Sequence, residues 1–187
     1  MFAKECTDSP LFRKLFEAQL ALEPSASAYL YGGTLKAKDG DNKGAIADFD
    51  KAAELETDAK KKSDILYKSA TVARKFSKSQ ARSYSNKAIQ AKPSNGKAYL
   101  LIANLYASSA NQCGSTPFEK RSVYWLAADM ARKAARVDPS LSSRANQAAA
   151  SYSAKAPSKT DIFNSGMAGK SISLSCWIGG SVKVPNL

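Results

Sequence analysis

The chain has 187 residues, of which 24% are charged and 44% hydrophobic, values typical of one globular domain that can bury its own core. No apolar run approaches the roughly 18 residues of a membrane span, so the composition favours a soluble protein. The net charge is +12, and the absence of histidine excludes triads, metal sites and general bases built on that residue.

The first predicted element is a helix at the N-terminus. Ser9-Pro10 followed by LFRKLFEAQLALEP is typical of a capped helix that ends at Pro24. Its exposed flank should include Leu11, Leu15 and Leu22.

The next segment, residues 25–57, has the pattern of a helix-turn-helix unit. In AYLYGGTLKAKDGDNKGAIADFDKAAELET, an aromatic residue, a small residue, a turn and three helix contacts follow at fixed spacing: Tyr29, Gly33, Gly40-Asp41, Ala45, Phe49 and Ala52. This spacing resembles a tetratricopeptide repeat, a pair of antiparallel helices called A and B. The resemblance implies an all-α, right-handed solenoid of stacked helix pairs.

Two further units follow. Residues 58–93 form a degenerate unit with apolar faces at Ile65, Ala73, Ala81, Tyr84 and Ala88, in which Phe76-Ser77-Lys78 replaces the usual turn. Residues 94–140 form a third unit, which opens at KAYLLIANLYA and closes at LAADMARKAARVDP. An insertion at 108–122 interrupts this unit and should lie on a surface loop or an extended helix end.

The two ends of the chain depart from the repeat. Residues 1–24 have the spacing of a helix B without a helix A, which suggests a repeat whose first half precedes Met1 and an end that self-associates; a lone capping helix is the alternative. Residues 141–156 should form a capping helix. Residues 157–187 should form a short helix near 161–167 and a β-hairpin that turns at Gly179-Gly180.

Three segments, CTDSPLF, CGSTPFEKRSVYWLA and CWIGG, look like parts of secreted tetratricopeptide-repeat proteins of gut bacteria. This resemblance implies an exported protein of the periplasm or cell envelope, longer than this chain. A cytoplasmic location is the alternative.

The oxidation state of the three cysteines depends on that location. In a cytosolic protein Cys6, Cys113 and Cys176 would be free thiols. In an exported protein Cys113 and Cys176 could form a disulfide, because the insertion and the hairpin both lie at the C-terminal end of the stack. Cys6 lies at the opposite end. No CxxC motif or histidine supports a metal site, and no cofactor is expected.

The sequence supports no enzyme. No nucleophile, base and oxyanion donor come together, and Asp48 and Asp50 look like a solvated pair rather than an acid-base dyad. The leading hypothesis is therefore a noncatalytic scaffold that binds a protein segment, such as an acidic or C-terminal peptide. Its concave face would come from the helices A: Leu30, Thr34, Lys38, Leu66, Ala70, Arg74, Lys97, Leu100, Asn104 and Ser108.

The charge distribution supports an alternative function. Residues 1–62 hold 10 Lys/Arg and 11 Asp/Glu, whereas residues 63–187 hold 18 Lys/Arg and 5 Asp/Glu. A basic field of this kind attracts nucleic acid and other anionic polymers, although it is also compatible with a solvated surface.

Overall fold

A computed structural model describes residues 9–187 of the chain. Its helices are α1 (Pro10–Leu22), α2 (Ala26–Lys38), α3 (Asn42–Leu55), α4 (Ala59–Ala73), α5 (Lys78–Ala91), α6 (Gly96–Ala107), α7 (Pro117–Val137), α8 (Ser142–Lys155) and α9 (Lys159–Ser165). Two short strands follow, β1 (Ser171–Ser173) and β2 (Ser181–Lys183). No helix of the described part is long and apolar enough to cross a membrane.

Local sequence signals set where most of these helices begin. A side chain just before the helix accepts a hydrogen bond from a backbone N–H of its first turn, which satisfies a donor that the helix itself leaves unpaired. The capping residues are Ser25, Asp41, Asp58, Ser77, Asn95, Thr116 and Ser158.

Consecutive helices pack as antiparallel pairs, α2 with α3, α4 with α5 and α6 with α7. Each pair also packs on the next, and α8 packs on α7. The architecture is thus the expected all-α solenoid of tetratricopeptide type, with α2, α4 and α6 as helices A and α3, α5 and α7 as helices B.

The helices B use one packing pattern in all three pairs. Residues at spacing i, i+4 and i+7 are at most 2% exposed, and all but Phe49 are small. Small side chains let two helix axes approach closely, so each helix A lies deep against its helix B. The residues are Ala45, Phe49 and Ala52, then Ala81, Ser85 and Ala88, then Ala127, Ala131 and Ala134.

Gly33 shows how close this approach is. A Cβ atom at Gly33 would lie 2.7 Å from the Phe49 ring and 2.9 Å from the carbonyl oxygen of Ala45. The ring has little room to retreat because Phe49 is 2% exposed, and the carbonyl belongs to the backbone of α3.

We therefore predict that Gly33→Ala lowers the free energy of unfolding. Overpacking costs about 1 to 3 kcal/mol, which outweighs the gain of up to about 1 kcal/mol in helix propensity. Urea unfolding followed by circular dichroism measures the change, with Thr34→Ala on the exposed neighbouring position as the control. A variant more stable than the wild type would contradict the close approach.

The second and third units are joined through buried polar groups. The Ser63 hydroxyl donates to the Ala88 carbonyl at 2.7 Å, and the Asn95 side-chain amide donates to Ser63 Oγ at 2.8 Å. Because buried polar groups must be paired, this chain of bonds fixes α4 against α5 and against the start of α6.

The insertion is only partly at the surface. Its C-terminal part extends α7 to 21 residues, as the expectation of an extended helix end allowed. Its first part forms a short 3-10 turn over Ala110–Gln112, and Ala110 and Cys113 are buried rather than exposed. They are buried because the C-terminal tail, with Leu174 and Ile178, packs over them.

The turn in the C-terminal tail differs from the predicted one. Strands β1 and β2 pair antiparallel with Ile172 opposite Val182, but residues 174–180 connect them, so Gly179-Gly180 is not a two-residue turn. Both glycines have positive φ within this longer loop. The helix before the hairpin begins at Lys159, two residues earlier than expected, and Ser158 and Asp161 form the predicted capping box.

The loop between the strands is anchored to the stack. A disulfide joins Cys176 to Cys113, with their Cα atoms 5.0 Å apart. The indole of Trp177 donates to Ser109 Oγ at 3.0 Å, and the Arg82 guanidinium lies 5.2 Å from the indole ring. Arg82 also donates to the Ile178 carbonyl at 2.6 Å. These contacts explain why the loop is long: it reaches from the hairpin to α5. Cys6 lies outside the described residues.

We predict that only one of the three cysteines reacts in denatured, unreduced protein purified under oxidising conditions. Cys176→Ser should lower the free energy of unfolding by up to about 4 kcal/mol, because the bridge spans 63 positions and constrains the unfolded chain. Thiol titration and denaturant unfolding measure these effects, and reduced wild type should match the variant. Three reactive thiols would contradict the pairing.

Candidate functional site

The residues predicted for the concave face differ in how exposed they are. Six are exposed: Thr34, Lys38, Arg74, Lys97, Asn104 and Ser108. Leu30 is half-buried, whereas Leu66, Ala70 and Leu100 are at most 9% exposed and belong to the core. The apolar contacts expected from Leu66 and Leu100 are therefore used within the chain.

On α4 two of the three predicted positions, Leu66 and Ala70, are buried, and a different side of the helix is exposed. Ser63 and the fully buried Ala70 lie on the side that faces α5, and Leu66 lies on the same side. Asp64 and Lys68 are exposed on the other side of α4, and the exposed Lys75 lies beyond its C-terminal end.

An open groove of about 390 Å³ runs between α2 and α4. Leu30, which is half-buried, supplies apolar surface, and Lys61 and Lys68 lie beside it. Ile65 also lines the groove but is only 2% exposed. The same groove is lined by Ala26, Ser27, Glu56 and Asp64. It combines an apolar floor with a charged rim, which suits a polypeptide segment better than a small polar metabolite.

On α6 the predicted residues adjoin α8. Asn104 Oδ1 accepts a hydrogen bond of 2.5 Å from the hydroxyl of Tyr152, a residue that was not among the predicted site residues. The Tyr152 ring stacks on Tyr124 with centroids 6.5 Å apart. Burial, and to a smaller degree Tyr124, raises the pKa of Tyr152. Asn104 is thus held in one orientation, on the same face as the exposed Lys97.

Leu100 lies below this pair and packs with Ala131, Ala145 and Ala149. It connects α6 to both α7 and α8, which explains why it is not available to a ligand.

The other groups whose pKa is shifted have structural roles. The bond from Arg13 lowers the pKa of Asp39, and hydrogen bonds from Ser158 lower the pKa of Asp161. Burial, followed by the bond to Asp50, raises the pKa of Tyr84. These groups lie on separate elements, and among residues 9–187 no three potential metal ligands lie together.

Asp48 and Asp50 are not the solvated pair expected from the sequence. Asp48 is 6% exposed and its Oδ2 lies 2.8 Å from Lys36 Nζ, whereas Asp50 accepts the Tyr84 hydroxyl at 2.7 Å. Each carboxylate joins α3 to a different neighbouring helix, so the two do not act together.

Comparisons with known proteins add little to this description. No family model matches the chain, and no curated protein matches it. Among solved structures, the crystal structure of MamA is similar over 82% of this chain and 88% of that chain, at 15% sequence identity and a TM-score of 0.47.

The distinction between core and face residues can be tested through stability. We predict that Leu66→Ala lowers the free energy of unfolding by about 2 to 5 kcal/mol, because it opens a cavity between α4 and its neighbours. Arg74→Ala should change it by less than about 0.5 kcal/mol, since its side chain is exposed. Chemical denaturation of both variants measures these changes in the free energy of unfolding. Similar losses in both would mean that Arg74 is a packing residue.

Proposed function

We propose that this protein is a noncatalytic scaffold that binds a segment of another protein along the exposed face of α2, α4 and α6. The observation that carries the proposal is the groove between α2 and α4, where the half-buried Leu30 lies between charged side chains. Apolar contacts supply affinity on such a surface, and charged groups at the rim select the partner.

The face favours an acidic segment or a C-terminal carboxylate. Exposed Lys68 and Lys97 stand on neighbouring helices A, and Arg74 is exposed at the end of α4. Asn104 adds an amide that can bond a peptide backbone. Bonds between charged groups are stronger than neutral ones, so a carboxylate-bearing segment gains most from this surface.

The basic region supports a second candidate, the binding of an anionic polymer such as nucleic acid. Such binding releases counterions and weakens steeply as salt rises, whereas a segment anchored on Leu30 resists salt. Affinity at about 50 and 200 mM salt separates the two candidates.

We also propose that the protein works in an oxidising compartment such as the periplasm or cell envelope. The disulfide between Cys113 and Cys176 supports this location, because such bonds are rare in the cytosol. Alkylation of thiols in intact cells before lysis tests it: a reduced pair would favour the cytoplasm.

The binding proposal predicts the effect of reversing two charges. Peptides selected from a random displayed library on the wild-type protein should be rich in Asp and Glu, and should bind Lys68→Glu/Lys97→Glu at least tenfold more weakly. The loss of two charged bonds, each worth about 1.5 to 3 kcal/mol, sets this minimum. Titration calorimetry gives the affinities.

The matched control is Lys43→Glu/Lys133→Glu, which makes the same change in net charge at exposed positions of α3 and α7. It should bind the selected peptides like the wild type. Equal weakening by both double variants would assign binding to overall charge, and no weakening by either would place the segment elsewhere.

A further inference from the structure

A short hydrogen bond joins Asn104 of α6 to Tyr152 of α8. The asparagine Oδ1 and the tyrosine hydroxyl oxygen lie 2.5 Å apart. This distance is within the range of O–H···O bonds, whereas N–H···O bonds are longer, at about 2.7 to 3.2 Å. The tyrosine hydroxyl is therefore the donor, and the carbonyl of the asparagine side chain, rather than its amide nitrogen, is its partner.

This bond determines which half of the Asn104 side chain is left for a ligand. Because the carbonyl is turned toward α8, the amide nitrogen points away from Tyr152. Asn104 is exposed, and no group among residues 9–187 accepts a hydrogen bond from this nitrogen. An asparagine that is free to rotate can bond either a C=O or an N–H group of a ligand. In this orientation Asn104 offers its two N–H donors.

Tyr152 is itself held in place before any ligand binds. Its ring is half-buried and packs against the cluster that contains Leu100 and Ala145. It also stacks on Tyr124, with the two ring planes 24° apart. A ring that is already packed loses little rotamer freedom when its hydroxyl forms a bond, so Tyr152 can orient Asn104 in advance.

The charges of the same two helices suit a ligand rich in hydrogen-bond acceptors. Helices α6 and α8 carry Lys97, Arg144 and Lys155 but no Asp or Glu. Lys97 precedes Asn104 by two helical turns, and so lies about 10 Å from it along the axis. Lys155 Nζ lies 5.9 Å from the centre of the Tyr124 ring. A carboxylate gains more from such donors than a neutral group does, because charge-assisted bonds are stronger.

We propose that Tyr152 is a positioning residue that makes this part of the face selective for carboxylate oxygens of the bound segment. It acts through Asn104: by holding the carbonyl, it keeps the N–H donors directed outward. An Asn104 that rotated freely would bond N–H groups as readily as carboxylates. The inference rests on the proposed binding of acidic segments, and it identifies the residue that gives the α6 end of the face its preference.

A double-mutant cycle tests whether Tyr152 acts through Asn104. Its probes are the acidic peptides selected on the wild-type protein. Tyr152→Phe should bind them about two- to tenfold more weakly, the range expected for one neutral hydrogen bond. In an Asn104→Ala background the same substitution should cause no further loss. The matched control is Tyr99→Phe, at another half-buried tyrosine packed on the same cluster, which should bind like the wild type.

A second substitution tests the direction of the donors. Asn104→Asp keeps an oxygen for Tyr152 but replaces the outward N–H donors with a second oxygen. We expect at least about tenfold weaker binding of the acidic peptides, because a donor becomes a negative charge. Asn86→Asp makes the same change in net charge at an exposed position of α5 and should bind nearly like the wild type. Equal weakening by both variants would contradict the proposed direction.

The orientation of Asn104 can also be measured without a ligand. Nuclear magnetic resonance relaxation of its side-chain amide nitrogen should show a lower order parameter in Tyr152→Phe than in the wild type or in Tyr99→Phe. If the library yields no acidic peptides, the proposed function fails, and this measurement still shows whether Tyr152 orients Asn104. An unchanged order parameter, or affinity losses that simply add in the cycle, would overturn the inference. Circular dichroism checks the folding of each variant, and Asn104→Asp remains as the test if Tyr152→Phe does not fold.

Discussion

Close contact between small residues is the constraint on which this structure depends. A helix pair gains little from hydrogen bonds between its members, so its stability comes from the apolar area and van der Waals contact between the two surfaces. Alanine, serine and glycine provide that contact only when the axes are near each other, as Gly33 and Phe49 show. The same requirement sets the rotation of each helix, because the small residues must face the partner. The residues left for binding are those on the remaining side.

This constraint explains which predictions the sequence supported. The pattern of Tyr29, Gly33, Ala45 and Phe49 reflects direct contacts between adjacent helices, so it predicted the pairing, the core and the all-α class. On α4 the same reasoning placed Leu66 and Ala70 on the binding face, although both lie in the core. A change of one residue turns a helix by about 100°, so an error of one or two positions in the assumed alignment moves a residue from the binding face into the core.

The tail shows a second limit of sequence reasoning. The alternation of Ile172, Leu174 and Ile178 predicted a strand that continues to the glycines, but only Ile172 lies in β1. Leu174 and Ile178 are buried in the loop that follows. The alternation could not show that residues 174–180 leave the hairpin, because the cause lies far away in the sequence. Arg82 and Ser109 hold Trp177, and Cys113 holds Cys176. Tyr152 was missed for the same reason, since its bond to Asn104 joins helices that are not adjacent in the chain.

The two ends of the described solenoid differ in how well they are covered, and this affects where local unfolding begins. In a linear stack each unit is stabilised mainly by its neighbours, so a unit with one neighbour is the weakest. At the C-terminal end α8, the hairpin and a disulfide cover α7. At the other end, among the residues that the structure describes, α1 is held on one side, chiefly through Phe12, Phe16 and the pair of Arg13 with Asp39. Within residues 9–187, local unfolding should therefore begin at α1.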